Sequence, residues 1–372
     1  MAESGRKIID LIEKQAPLYL AESWDNVGLQ LGNPYKPVHR IMVCLEVTDS
    51  VLQEAEARQI DMIITHHPLI FKALKKVTTD DGLGKIIYSL IQKDILLYCA
   101  HTNLDMAYGG LNDLLAVELG LSAIKPLTNT YRKKYYKIVV FVPESHEEVV
   151  RGALCSEGAG FIGNYSECSF KLAGEGTFKP LKGANPYMGS IGDLKRVKES
   201  RLETIIPEDR LKAAIERMKE AHPYEEVAYD LYLLGNVYEE NGLGRVGHWE
   251  KPETLSQLCS KLKQLLGLES IKVVGDPNKI VYKIGLCTGS GAEYIYHAYQ
   301  IGCDCFITGD VKYHDGQYAH QLGMAVIDAG HFDTENYACG LYAKSLEQLL
   351  KKHHCSVEVC FSSTNINPFC FI

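Results

Sequence analysis

Three short segments gather the residue types that bind metal ions: Thr65-His66-His67-Pro68, His101-Thr102-Asn103-Leu104-Asp105 and His331-Phe332-Asp333-Thr334-Glu335. Imidazole nitrogens and carboxylate oxygens together suit zinc, iron or manganese, and a carboxylate can bridge two ions. His331 and Glu335 are four apart, one helical turn, so both side chains can face one point. His101 and Asp105 share that spacing, although Gly109-Gly110 nearby suggests a loop there. Adjacent His66 and His67 would point to opposite faces of a regular strand; at a strand end they can diverge, each towards a different metal. Five or six ligands exceed the three that one open catalytic zinc needs. Two ions about 3.5–4 Å apart would use them all and hold a bridging water as a nucleophile. Alone, each segment has a plainer reading: a structural histidine at a strand end, or a solvated His–Glu pair adding a few tenths of a kcal/mol. Three such segments at equivalent places make the metal reading the stronger one.

Those places are set by the elements around them. Arg40 to Val47, Met62 to Ile64 and Ile95 to Ala100 read as buried strands, with helices at about 4–16, 49–58, 84–93 and 110–119 between or beside them. This βαβα rhythm predicts an α/β layer with a largely parallel sheet. It resumes after about Gly242: helix 254–266, strand 271–274, strand 280–287, helix 292–300, strand 303–308, strand 325–328, a long helix to about His353 and a last strand near 356–361. All three ligand segments then fall at the C-terminal ends of strands, where open α/β sheets place their sites. Between about Tyr131 and Val237 the rhythm differs. Strand 136–142, helix 145–157, strands around 165–172, a polar Gly- and Pro-containing stretch over 174–200, strand 201–206, a helix to about Ala221 and strand 227–234 follow the ferredoxin-like order. The expectation is an α/β core over 1–130 and 238–372, interrupted by an α+β domain over 131–237.

Weaker signals lie outside those segments. His314, after Gly309-Asp310-Val311-Lys312-Tyr313, is a candidate substrate contact or base. Trp24, in Ser23-Trp24-Asp25-Asn26-Val27-Gly28, could line a pocket for a planar ring, although a packing plug is the plainer reading. Gly289-Ser290-Gly291 opens a helix and could hold an anion through free amides. His353 and His354 sit at a helix end, where they favour the dipole. The 12 cysteines are scattered and include no C-x-x-C pair, which argues against a zinc ribbon or a thioredoxin motif and for small buried hydrophobes.

Composition narrows the function classes. The 372 residues carry 39 basic and 47 acidic side chains, a net charge of −8, with 46% apolar residues. That is a globular chain and a poor prior for a nucleic-acid binder. No apolar run approaches the roughly 18 residues a membrane span needs. The N-terminal segment lacks the continuous apolar region of a secretory signal, so a cytoplasmic protein is expected.

The stretches SWDNVGLQLG, THHPLIF, HTNLD, TGDVKYHD and AGHFDTE, far apart but in order, resemble the GTP cyclohydrolase 1 type 2 family, also called the Ngg-interacting-factor-three-like family. The middle segment, with GAGFIGNYSECSF and HPYEEVAYDLY, resembles the PII/CutA-like domain of longer bacterial members. The resemblance implies a dinuclear metal centre. In it His66 and His67 each bind one metal, Asp105 binds one and His331 the other, Glu335 bridges both, and His101 is a further ligand or a proton carrier. It also implies a homohexameric ring with the sites facing a cavity, and for some members the opening of the guanine five-membered ring of GTP with release of formate. There a metal-bound water would attack, and His101 or His314 would shuttle the proton. No basic cluster stands out to hold a triphosphate. A metal-dependent hydrolase acting on a nucleotide-like small molecule is the favoured expectation. The alternatives are a regulatory or scaffold protein whose insert binds a ligand or partner, and a metal-handling protein.

Overall fold

The computed structural model describes residues 2–236 and 240–370, and the chain divides into two compact units, Met1–Tyr131 with Asn241–Ile372, and Arg132–Glu240. The first unit is α/β and contains two sheets. One runs in the order Glu358–Phe361, Arg40–Cys44, Met62–Thr65, Leu96–Cys99, Gly28–Leu31. Its first four strands are parallel and the edge strand Gly28–Leu31 is antiparallel. Every residue of Met62–Thr65 and Leu96–Cys99 is buried, which is why these strands read as unbroken apolar runs rather than alternating ones.

The second sheet runs Lys272–Val274, Ala325–Asp328, Cys305–Gly309, Ile280–Ser290, Arg245–Thr254, Ser122–Pro126. Only Ala325–Asp328, Cys305–Gly309 and Ile280–Ser290 are mutually parallel; the remaining pairings are antiparallel. The parallel layer expected from the alternating rhythm is therefore present where the ligand segments lie, and antiparallel strands flank it. Gly28–Leu31, Ser122–Pro126 and Arg245–Thr254 escape periodicity because they are short or interrupted by Gly, Pro and charge.

Helices start where the sequence supplies caps. The Thr48 hydroxyl accepts the Val51 amide ahead of Asp49–Ala57, and Thr254 forms a capping box with Gln257 ahead of Leu255–Leu266. The long helix His331–Lys352 buries Thr334, Glu335, Ala338, Cys339, Tyr342, Ala343, Leu346 and Leu350, one stripe at three- and four-residue spacing. That stripe joins the core of the first sheet, among Ile41, Val43, Met62, Ile64, Leu96 and Tyr98. Yet the helix begins at the end of a strand of the second sheet. One helix thus links both sheets. The loop suggested near His101–Asp105 is instead a single helical turn, Thr102–Met106; Gly109 and Gly110 lie beyond it and make the following turn.

The second unit is a four-stranded antiparallel sheet, Ser169–Phe178, Lys195–Pro207, Tyr135–Pro143, Tyr229–Leu233. Helices Glu147–Ser156 and Glu208–Ala221 pack on one face, in strand–helix–strand–strand–helix–strand order. Two strands are longer than the sequence suggests. The two ends of the polar stretch over 174–200 belong to a hairpin, paired from Ser169↔Thr204 to Phe178↔Lys195, and the residues between them, 179–194, are irregular. Its ladder is backbone to backbone, so exposed polar side chains do not betray it. No described helix is long and apolar enough to cross a membrane.

Candidate metal centre

Strand register decides which residues meet. Cys44, Thr65 and Cys99 are level across three parallel strands, so the residues after them leave the sheet at one edge. There the His66 amide donates to Cys44 O, the His67 amide to Leu45 O and the Ala100 amide to Thr65 O. In the second sheet Thr308 is level with Asp328 and Gly309 with Ser290, which brings Gly289, Asp310 and His331 to its corresponding edge. The helix that starts at His331 carries Glu335 from this edge into the core of the other sheet.

The result is a cluster around the Glu335 carboxylate, which is 5% exposed. His67 Nε2 is 2.9 Å and His331 Nε2 3.0 Å from Glu335 Oε2, while His66 Nε2 is 3.7 Å from Oε1 and 3.6 Å from Asp105 Oδ2. Ligand atoms of His66, His67 and His101, and of His67, His331 and Glu335, form two groups within 4.8 Å. Three of the four imidazoles are hydrogen-bonded from behind, and the fourth faces a more distant carboxylate. His66 Nδ1 is 2.9 Å from Ala100 O, His101 Nδ1 2.9 Å from Asp25 Oδ1 and His331 Nδ1 2.7 Å from Asp310 Oδ2, with His67 Nδ1 3.8 Å from Glu46. A backing carbonyl or carboxylate fixes the tautomer and leaves the other nitrogen's lone pair to coordinate, the usual support of a metal-bound histidine. Two buried atoms, His66 Nε2 and Asp105 Oδ1, have no hydrogen-bond partner. Buried polar atoms are rarely left so, and His66 Nε2 stands between the Glu335 carboxylate and the other oxygen of Asp105. The donor set fits divalent cations.

The electrostatics point the same way. Burial alone would raise Glu335, but the imidazoles of His331, His66 and His67 around it hold its carboxyl well below the ordinary range. Burial works against the charged form of His67, yet Glu335 and Glu46 lift it to about 10; Glu335, then Asp310, lift His331 to about 9. Asp105 is raised, by burial first and by the like charge of Glu335, although His66 opposes this. Asp25 would be raised by burial, but His101 and Thr102 bring it down to about 2. The pocket holds positive charge next to carboxylates that burial would otherwise neutralise.

Other features sort themselves around this cluster. Gly289 has φ +66°, and a Cβ there would sit 2.0 Å from Glu335 Oε1, so glycine alone leaves the carboxylate its place. The Gly289 and Gly291 amides are taken by the Thr334 and Thr308 hydroxyls; they are not free for the anion that this short glycine pattern could have held. Trp24 is exposed, edge-on to His101 with ring centroids 6.1 Å apart, a rim residue rather than a plug. His314 opens the helix Tyr313–Gln321, exposed, with Nδ1 3.3 Å from Gln317; it is not among the residues brought together here. No cysteine joins the ligand groups among the described residues. Sequence alone does not single out Asp25, Glu46 and Asp310. Asp310 directly follows a strand, Glu46 is the one acid in an apolar run, and Asp25 lies in the Trp24 loop, but a lone acid at such places looks like any surface acid. A cavity of about 600 Å³ opens beside the cluster, lined among others by Glu46, His67, Asp310, His331 and Asp333. Lys272 also lines it, with its ammonium 2.5 Å from Asp328.

The fold and this cluster define an α/β protein with a histidine–carboxylate cluster, a candidate metal centre, built between two sheets. The chain belongs to the Duf34/NIF3 (NGG1p interacting factor 3) family, whose model matches residues 4–368. It is 42% identical over 374 residues to a Bacillus subtilis protein named GTP cyclohydrolase 1 type 2 homolog, with 100% of both chains covered. A protein of the same name from Halalkalibacterium halodurans is 41% identical, with 99% of each covered. Among solved structures, a Bacillus cereus protein related to NIF3 is 42% identical with TM-score 0.83, covering 100% of this chain and 99% of that one. A Staphylococcus aureus protein is 30% identical with TM-score 0.85, at the same coverage.

Proposed function

We propose that this chain is a dinuclear metal-dependent hydrolase, with His66, His67, Asp105, His331 and Glu335 as ligands and Glu335 shared between two ions. One observation carries the reading: buried His66 Nε2 lacks a partner although it stands 3.6 Å from Asp105 and 3.7 Å from Glu335, while the far nitrogens of His66, His101 and His331 are already engaged. When bound, two divalent ions would supply Lewis-acid polarisation of the substrate and a water acidified towards a pKa of about 7. The chain's own residues do the rest. His101, oriented by an Asp25 carboxylate that stays ionised, is placed to take and return a proton at Nε2. Half-open His67 and His331 give the neighbouring cavity access to the centre. Zinc suits the ligand set, as do iron and manganese.

The relatives' name supports purine ring opening with formate release as the reaction to try first. The cavity lining supplies only Lys272 as a lysine, already paired with Asp328, so GTP and guanosine should both be offered. The test is elemental analysis of the purified chain together with formate release on the same sample. Two metals per chain, formate released only with metal, and loss of both in Glu335→Ala are expected. Two metals without formate from either compound overturns the ring-opening reading; an unchanged metal content in Glu335→Ala overturns the shared ligand.

A further inference from the structure

The residues 179–194 that interrupt the long hairpin of the second unit do not hang free. The Gly192 amide donates to Pro180 O, the Ala184 amide to Leu181 O and the Asn185 amide to the Glu225 carboxylate at 2.8 Å. Irregular loops of this length that keep a defined shape are usually functional. This one closes one side of a cavity of about 340 Å³, within the range of small-molecule sites.

The walls are aromatic. Phe178 and Tyr224 have centroids 5.8 Å apart, Tyr187 and Tyr224 6.2 Å apart, and Phe141 lines the same space. At the wall sits the carboxylate of Glu199, 8% exposed. Its Oε1 accepts the Tyr224 hydroxyl at 2.9 Å. Its Oε2 packs over Gly176, where a Cβ would be 1.9 Å away, so the missing side chain is what admits the carboxylate. No lysine or arginine pairs with Glu199 among the described residues. Arg201, on the same strand, is bound to Glu203 at 2.7 Å, and Lys179, the cavity's one basic side chain, is exposed. Glu225 and Glu226 add further negative charge to the rim. A buried carboxylate without a counter-charge is costly, and π-faces beside it attract a cation most strongly when that cation is poorly hydrated.

We propose that this cavity binds a small organic cation of the alkylated ammonium class, with Glu199 as its counter-charge and Phe178, Tyr187 and Tyr224 as its cage. Neutral planar ligands would leave Glu199 uncompensated, and anions would meet three carboxylates. The site lies wholly within the second unit.

The test is calorimetric titration of the full-length protein with choline and with its neutral carbon analogue 3,3-dimethylbutan-1-ol. Saturable binding of choline is expected, with the neutral analogue at least about tenfold weaker, because only the cation gains from rings and carboxylate. Glu199→Gln keeps an acceptor for Tyr224 and should weaken choline about tenfold or more. Tyr187→Ala, on the exposed loop, should weaken it severalfold and keeps the test alive if the buried substitution misfolds. Equal affinity for the neutral analogue, unchanged choline affinity in folded Glu199→Gln, or no saturation by about 10 mM choline overturns the proposal.

Discussion

At the scale of single residues, the centre depends on atoms that touch no substrate. Gly289 is the clearest case. Its alanine variant would push a methyl into Glu335 Oε1 and toward His331 Nε2, 3.4 Å away, at a backbone φ of +66°. Strain of about 1–3 kcal/mol is expected there, with most bound metal lost although the sheets remain. Elemental analysis beside circular dichroism checks this, and full metal content with native dichroism would show that Glu335 has room the geometry denies it. The candidate ligands that the structure gathers around Glu335, His66, His67 and His331 among them, were legible from types and spacing. Asp25, Glu46 and Asp310 were not, because their role is defined by the imidazole each one backs, and that partner is 76, 21 and 21 positions away in sequence.

At the scale of elements, Arg245 and His222 hold pieces that sequence patterns could not join. Arg245, fully buried, donates to the carbonyls of Gly242, Gly244, Met106 and Ala107 and to Asp113 at 2.7 Å. It fastens a strand of the second sheet to the turn that follows Asp105. Arg245→Leu strands those acceptors, and about 3–5 kcal/mol of stability should go, read by urea unfolding, together with some metal content. In the second unit the Tyr224 amide donates to His222 Nδ1 at 3.1 Å, so Nε2 carries the proton that meets Phe141 O at 3.0 Å. Burial first, and His146 second, depress the His222 pKa below 6.5 despite the Phe141 carbonyl. The unfolded chain therefore takes up a proton before the folded one does. The contribution is fully present above pH about 6.5 and is lost as pH falls towards the folded-state pKa; each tenfold difference in proton affinity between the two states is worth about 1.4 kcal/mol. The unfolding transition of this unit should move down between about pH 7 and pH 5, and His222→Gln should flatten that slope; an equal slope in the variant would assign the effect elsewhere.

At the scale of the whole molecule, the two units have separate cores. Ile138, Val140, Val150, Leu154, Leu202, Ile206 and Met218 form one, with no member from the first unit among the described residues. Replacing 132–240 by a short Gly/Ser linker should leave a folded core that still holds metal. Circular dichroism and elemental analysis decide this, and an aggregated or metal-free product would mean that the second unit props up the first. The change of rhythm near Tyr131 was visible because a βαββαβ order differs from alternating strand and helix. The extent of the hairpin from Ser169 to Pro207 was not, since its ladder is made by backbone groups that every residue shares.

The sequence by itself determined which side chains could bind metal, that they stand at strand ends, and that the chain folds as an α/β core with an interruption. These are local facts, carried by residue chemistry and by periods of two and 3.6. Only the tertiary structure decided that the ligand segments come from two different sheets, that one long helix spans from the edge of one to the core of the other, and which acids stand behind which histidines. Those outcomes rest on register and on non-local packing, where residues hundreds of positions apart share a few ångströms, and nothing in a neighbouring residue records such a contact.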